Sequence, residues 1–406
     1  MIETLKIENF KSLKKETFNF GKLNVITGVN SAGKSSVLQS LLLMADALKE
    51  VAPYDEKLLK TEQEKILDEL ALLKKIRNKF DAMAGSNIDE HTMHEFEKFF
   101  QLQQARFDQI DKNIKKFENL TKQKLKAWNF ETIRNRRENA KFVSITINGA
   151  NSVINSESCV LKNSDLKFEK NKDFFYLSEN RRGPENKEAL IESDEFGDDA
   201  EFVMGYFYRH QNDTISSELT TTKNLTLSSN VDLWLTEILK NDDEDFSISL
   251  NVQKVASDTV VSRYDFCGLH EIEPTQLGAG VSYLAKLLIV CLQAKPGQLV
   301  IVENPEMHLH PKAQSAVGHF LSFIASKGVQ VIIETHCEHL IHKIQYDVYK
   351  KLLKPEDVCI YYKKSSISDF DKMTIGLDGH FQKDGHRQRF PKGFFDASLA
   401  ELLEMG

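Results

Sequence analysis

The chain has 406 residues, 41% of them hydrophobic and 28% charged, the make-up of a soluble protein with ample core and room for two or three domains. No apolar run approaches the ~20 residues that span a bilayer. Residues 1–5 lack the basic-then-apolar pattern of a signal peptide, and five scattered cysteines without a C-x-x-C pair point to reduced thiols in a cytoplasmic protein. The net charge of −7 gives no general case for nucleic acid binding and leaves only a local basic face to consider.

Taken in order, residues 2–27 read as a small sheet. Residues 3–7 and 17–20 alternate, Gly21-Lys22 turns, and Leu23 to Thr27 is a buried strand. Next comes Gly28-Val29-Asn30-Ser31-Ala32-Gly33-Lys34-Ser35-Ser36, which fits G-x-x-x-x-G-K-[ST], the phosphate-cradling P-loop. Val37, Leu38, Leu41, Leu42, Ala45 and Leu48 follow at helical spacing, so the loop has the required strand before it and helix after it. Gly28 and Gly33 let backbone N–H groups close on phosphate oxygens at the positive end of that helix. Lys34 reaches the β- and γ-phosphates, and the Ser35 hydroxyl ligates Mg²⁺. The expected nucleotide contacts are therefore Asn30, Ser31, Ala32, Gly33, Lys34, Ser35 and Ser36, with Mg²⁺ as cofactor. This stretch binds a nucleoside triphosphate.

From about residue 47 to residue 140 the composition becomes charged and almost free of glycine and proline after Pro53. Ile66, Leu70, Leu73, Ile76, Phe80 and Met83 form one helical stripe, Gly85-Ser86-Asn87 signals a turn, and Phe107, Ile110, Ile114 and Phe117 form a second stripe. Two such stripes fit an antiparallel coiled-coil arm projecting roughly 40–50 Å, or else a compact helical subdomain packed on the head. Lys122, Lys124, Lys126, Arg134, Arg136 and Arg137 make the base of the second arm basic. That run either meets DNA phosphates or is a solvated face.

Period two returns at Val143, Ile145 and Ile147, with the turn Asn148-Gly149 leading to more strand. Phe174 to Leu177 then runs into Ser178-Glu179-Asn180-Arg181-Arg182-Gly183-Pro184. Asp194 to Asp199 lacks a calcium-loop pattern and reads as a solvated loop. Residues 231–239 read as an amphipathic helix, residues 246–252 as a strand, and residues 282–292 as an apolar helix. Leu299 to Glu303 is an all-apolar strand ending in a carboxylate, placed to hold Mg²⁺ opposite the P-loop. Residues 329–336 bring His336 to the same sheet edge.

In order, NFKSL, GVNSAGKSS, YLSENRRGP, QLGAGVS, VIVENPEMHLHP, IIETHCEHL and PKGFFD resemble the SMC/ABC-like ATPases of the OLD and anti-phage defence group, most of all the ATPase subunit of Septu-type systems. The resemblance implies Glu303 as the Walker B acid that holds Mg²⁺ and His336 as the switch histidine that senses the γ-phosphate. It implies a signature loop over residues 278–282, with Gly278, Gly280 and Ser282 reaching the partner's ATP in a head-to-head dimer. Asn304 to Pro311 covers the catalytic and D-loop positions. One departure matters: the position of the catalytic glutamate holds Asn304, an amide that orients water but cannot take its proton, and Glu306 is the acid left to approach that water. Turnover is expected to be slow, with ATP acting largely as a conformational ligand.

Other constellations carry less. The histidines His336, His339 and His342 match no zinc motif, His308 and His310 read as dimer-interface residues, and Asp369-Phe370-Asp371 reads as a hairpin turn. The expected fold class is α/β: an ABC/SMC-like head with its P-loop lobe over residues 1–46, a helical insertion over 47–140, and a C-terminal lobe over 141–406. The expected function is a slowly hydrolysing ATPase, a homodimer or higher homo-oligomer through ATP-sandwiched heads, that regulates an effector, an HNH-type nuclease by analogy, in bacterial anti-phage defence. Two alternatives stand beside it: a DNA-repair or chromosome-maintenance ATPase that contacts DNA itself, and the nucleotide-binding subunit of a membrane transporter.

Overall fold

Alternation in the central strands splits the protein into two cores on opposite faces of one sheet. In the computed structural model, which describes residues 1–50, 64–75, 78, 90–124, 128–156, 159–162, 166–197, 199–220, 226–240, 245–391 and 394, this sheet has eight strands. Its middle consists of β3 (Leu23–Gly28), β7 (Phe174–Leu177), β12 (Leu299–Glu303), β13 (Gln330–Glu334) and β14 (Val358–Lys363), all parallel, in the order β14-β3-β13-β12-β7. The antiparallel strands β15 (Phe370–Ile375), β16 (Phe381–Lys383) and β17 (His386–Arg387) extend it beyond β14. Every residue of β3, β12, β13 and β14 is buried, as expected for strands covered on both faces.

Leu23, Val25, Val300, Val302, Val331 and Ile333 face the larger core. It is covered by α3 (Val203–His210), α4 (Leu227–Leu239), α5 (Ala279–Gln293), α6 (Pro311–Ser326) and α7 (Glu338–Tyr349). Ile26, Leu299, Ile301 and Ile332 face the second core, which is shared with α1 (Lys34–Glu50) and the antiparallel sheet β2-β1-β4-β5-β6. That sheet comprises β1 (Thr4–Phe10), β2 (Leu13–Asn19), β4 (Val143–Ile147), β5 (Ala150–Ile154) and β6 (Cys159–Lys162). A third sheet pairs β8 (Lys187–Ala189), β9 (Ile248–Ala256) and β11 (Leu269–Ile272) around β10 (Thr259–Phe266).

The β4–β5 hairpin turns at Asn148 (φ 48°) and Gly149 (φ 91°), the left-handed pair that an Asn-Gly turn requires. The Lys363–Glu16 pair is buried at 3.0 Å and ties β14 to β2. Removing either partner of such a pair costs about 3–5 kcal/mol.

Residues 64–75 are helical and α2 spans Glu90–Lys124. Ile66, Leu70 and Leu73 are buried, and Phe107 and Ile110 are half-buried, so the two expected stripes face inward where they are described. Ile76, Phe80, Met83, the Gly85-Ser86-Asn87 turn and Lys126 lie outside the described residues, as do the side chains of Ile114, Phe117, Lys122 and Lys124. Two sequence expectations change. Phe370 and Asp371 begin β15 rather than forming a turn, because Asp371 pairs in register with Tyr362 and its carboxylate meets Lys383 at 2.6 Å. Asp194 is not simply solvated, since it accepts from Arg209 at 2.7 Å and contacts His210 at 3.0 Å.

Candidate functional site

The carboxyl ends of β3, β12 and β13 meet at one edge of the main sheet, and the chain turns into helices there. After β3, Gly28 (φ 136°), Ser31 (φ 58°) and Gly33 (φ 101°) bend the loop through left-handed backbone. The space is as restrictive as the dihedrals. A Cβ at Gly28 would strike the Lys363 carbonyl, and one at Gly33 would strike the Ser12 hydroxyl. The Val29 N–H donates to that same Lys363 carbonyl at 3.1 Å, so β14 and the β1–β2 turn fix the loop from two sides. Asn30 and Ser31 are exposed, whereas Ala32 is buried and the Ser36 side chain turns into the fold. Of these four, Ala32 offers a ligand only its backbone and Ser36 only a buried hydroxyl.

Lys34 is 4% exposed and its Nζ donates to the Val29 carbonyl at 2.8 Å. Burial lowers its pKa, against the opposing pull of Glu334 and Glu179. Ser35 Oγ donates to Glu334 Oε1 at 3.0 Å, and Glu334 Oε2 is buried without a partner among the described residues. Burial lifts the Glu334 carboxyl to about 7, and neighbouring Glu303 adds to the lift. Glu303 and Glu334 lie side by side in register on β12 and β13. Both Glu303 oxygens are already engaged: Tyr176 donates its hydroxyl to Oε1 at 3.1 Å, and the Glu179 N–H donates to Oε2 at 3.1 Å. Burial also raises the Glu303 and Glu306 carboxyls.

Behind this edge, Arg181 is 3% exposed and donates to three carbonyls, those of Ser178 (2.8 Å), Glu303 (2.6 Å) and Asn304 (2.9 Å). Burial brings its pKa down to about 10. The guanidinium thus clamps the turn that holds Asn304 at φ 44°. The Asn304 amide leans on Glu179 Oε2 at 3.4 Å. Glu306 points at the loop after β13: its Oε1 accepts from Thr335 Oγ1 at 2.8 Å and from the His336 N–H at 3.3 Å. The acid expected to approach a water is therefore committed, through one oxygen, to holding the His336 backbone. His336 is exposed at the surface, and its pKa is lowered by desolvation of the covered part of the ring and by Lys34.

At the other end of α5, Gly278 is exposed with open space where a Cβ would stand. A Cβ at Gly280 would meet the His308 carbonyl. Ser282 corrects the sequence reading. It is 3% exposed, its hydroxyl turned inward beside buried Tyr264, because one turn into α5 that position faces the core. Within residues 278–282, Gly278 is exposed and Ala279 and Val281 are half-buried. His308 (φ 61°) stacks on Tyr283 at 5.1 Å, and Tyr283 lies over Arg181 at 5.9 Å. His310 N-caps α6, its Nδ1 accepting from the Lys312 N–H at 3.4 Å. No cluster of three or more metal-ligating side chains occurs among the described residues, the His336–His339–His342 series included.

The sheet edge therefore gathers Lys34, Ser35, Glu303, Asn304, Glu306 and His336. Glu334, Glu179 and Arg181 join them without having been singled out from sequence. A family model described as "AAA domain, putative AbiEii toxin, Type IV TA system" matches residues 23–341, from β3 into α7. The chain belongs to this family. An AAA-type ATPase domain thus covers the P-loop and the ends of β7, β12 and β13.

Among curated relatives, an uncharacterized protein of Methanocaldococcus jannaschii is 44% identical over 48 residues, and an ATP/GTP phosphatase of Helicobacter pylori is 50% identical over 42. These matches span 22% and 11% of the relatives' own lengths. Similar solved structures include an SMC head bound to the C-winged helix domain of ScpA (12% identity, TM-score 0.41, 92% of this chain and 97% of that one). The SMC head of Thermotoga maritima gives 10% identity and a TM-score of 0.40, covering 91% of this chain and 97% of that one. The recombination mediator RecF gives 10% identity and a TM-score of 0.38, covering 91% and 98%. No helix among the described residues is long and apolar enough to cross a membrane.

Proposed function

We propose that this chain is an ATP-driven switch: an ATPase head that closes on a second copy around bound nucleotide, turns over slowly, and thereby controls a separate effector. The observation that carries this reading is the gathering of a P-loop lysine and serine, buried acids and an exposed histidine at one sheet edge, with Asn304 where a water-activating acid is expected. The residues fit Mg²⁺-ATP. Lys34 now spends its charge on a backbone carbonyl that phosphate oxygens would replace, and Ser35 presents a hydroxyl beside an acid with an unpartnered buried oxygen. Ser35 and the acids at the strand ends would hold Mg²⁺, which when bound neutralises phosphate charge. Lys34 and the loop amides of residues 30–35 would orient the triphosphate, and His336, exposed at the same sheet edge, would sense its γ-phosphate. Asn304 positions water without accepting its proton, which makes turnover slow.

The exposed end of α5 at Gly278 supports an ATP-sandwiched homodimer. The motif order resembling Septu-type ATPase subunits supports an HNH-type nuclease as the controlled partner, in bacterial anti-phage defence. Light scattering with and without a non-hydrolysable ATP analogue and Mg²⁺ tests the switch. Wild-type mass should double with nucleotide and Gly278→Arg should stay monomeric while still binding it. An equally nucleotide-dependent dimer in Gly278→Arg would refute the assignment.

A further inference from the structure

Two acids end adjacent strands at this edge, but only one touches the serine that presents its hydroxyl to a cation. Glu303, the residue at the usual acid position, accepts from Tyr176 Oη on one oxygen and from the Glu179 N–H on the other, so its carboxylate is oriented from behind by the protein itself. Glu334, one strand over, touches Ser35 Oγ with Oε1 and keeps Oε2 buried without a hydrogen-bond partner among the described residues. The residue is 6% exposed, and an unpartnered carboxylate oxygen at that depth costs stability unless something fills the site. The positive group already near it, Lys34, is bonded to Val29 and is needed for phosphates once nucleotide arrives. A divalent cation held here by Glu334 and Ser35 would supply the partner that Glu334 Oε2 lacks.

We propose that Glu334 is the carboxylate through which this chain holds the divalent cation of its nucleotide, with Glu303 acting as a positioning acid that fixes Tyr176 and the Glu179 backbone. Glu334 sits two residues before His336, whose N–H is held by Glu306. Cation binding at Glu334 therefore sets the start of the loop that presents the histidine. Occupancy of the metal site and placement of His336 become one event, which suits a switch in which Mg²⁺-ATP, not free ATP, drives closure. This inference rests on the reading of the site as an Mg²⁺-ATP site.

The test uses the full-length protein with Mn²⁺ as the spin-active probe and a non-hydrolysable ATP analogue. Mn²⁺ affinity is read by electron paramagnetic resonance at saturating nucleotide, and nucleotide affinity is read separately in EDTA. Glu334→Gln, nearly isosteric, should weaken Mn²⁺ binding by about 10–100-fold and leave the metal-free nucleotide affinity unchanged. Glu303→Gln should weaken Mn²⁺ binding several-fold less. Glu334→Asp keeps the charge on a shorter stem and should fall between wild type and Glu334→Gln, which keeps the test open if the glutamine variant fails to fold. Wild-type-like Mn²⁺ affinity in Glu334→Gln, or a larger loss in Glu303→Gln, overturns the inference. A wild-type protein that binds no nucleotide under either condition overturns the Mg²⁺-ATP reading as well.

Discussion

Arg181→Met removes a buried side chain that ties the ends of β7 and β12 together. The wild-type guanidinium donates to the carbonyls of Ser178, Glu303 and Asn304 at 2.6–2.9 Å. The Asn304 carbonyl keeps the Met307 N–H at 3.2 Å, so two acceptors lose the guanidinium, at about 1–3 kcal/mol each or about 2–6 kcal/mol together. Against this stands the desolvation of the cation. Its pKa falls from 12.5 to about 10, and at ~1.4 kcal/mol per unit the apolar replacement recovers about 3 kcal/mol. The difference centres on about 1 kcal/mol and reaches about 3 kcal/mol, and a net destabilisation of about 1–3 kcal/mol is expected from urea unfolding. Arg181→Lys keeps the charge, but a single ammonium cannot match the planar fork, so it should lose about half as much. Because the clamped turn carries Glu303 and Asn304, both variants should also bind Mg²⁺-ATP more weakly by calorimetry. If Arg181→Met unfolds within 0.5 kcal/mol of wild type, as an ordinary surface change would, and binds Mg²⁺-ATP equally well, the clamp argument is wrong.

Three further outcomes follow from the same geometry. Gly28→Ala should cost more than about 2 kcal/mol in thermal or urea unfolding, since the added carbon combines a φ of 136° with a collision against the Lys363 carbonyl. Ser282→Ala should leave nucleotide-dependent association intact, whereas Ser282→Arg should cut soluble yield and lower the melting temperature, because the site is interior. Asp232, half-buried and facing Asp265, is pushed up to about 6 although it accepts from the Leu250 N–H. Its folded pKa lies above the unfolded value of ~3.9, so it contributes nothing below pH ~4 and lowers stability as pH rises to about 6. Asp232→Asn should therefore be the more stable protein at pH 8, by ~1 kcal/mol after allowing for its partial exposure, and the advantage should vanish near pH 4.

The sequence made some parts of this site legible and hid others for identifiable reasons. The P-loop, β12 and β13 could be read because their signals are local: a fixed glycine–lysine spacing, and short apolar runs bounded by turns. Asn304 was visible as a departure from a motif. Arg181 sits in a motif noted for its letters alone, and its role depends on carbonyls more than 120 residues away on β12. Glu334 looked like the polar end of a strand, and only the pairing of β13 between β3 and β12 brings it to Ser35. Ser282 shows the limit of position without orientation. It belongs to the right segment, but Gly278 is the exposed, extended N-cap of α5, whereas Ser282 lies one turn inside the helix on the face packed against the core. Residues 64–75 and 90–124 were legible as helix from their period. Of the basic run, the side chains of Lys122, Lys124 and Lys126 are not described, whereas Arg134 pairs with Glu131 at 2.7 Å, Arg136 donates to the Glu131 carbonyl at 2.8 Å and Arg137 donates to Ser366 at 3.1 Å.

The account turns on Asn304, held at φ 44° and leaning on Glu179 where a general base would otherwise act. Quenched-flow measurement of a single ATP turnover by the wild-type protein tests this most directly. ATP should bind rapidly and be cleaved far more slowly than the median enzyme rate of ~10 s⁻¹, at well under ~1 s⁻¹, with little further loss in Asn304→Ala. Cleavage at or above ~1 s⁻¹ that is abolished by Asn304→Ala but survives Glu306→Gln would contradict it.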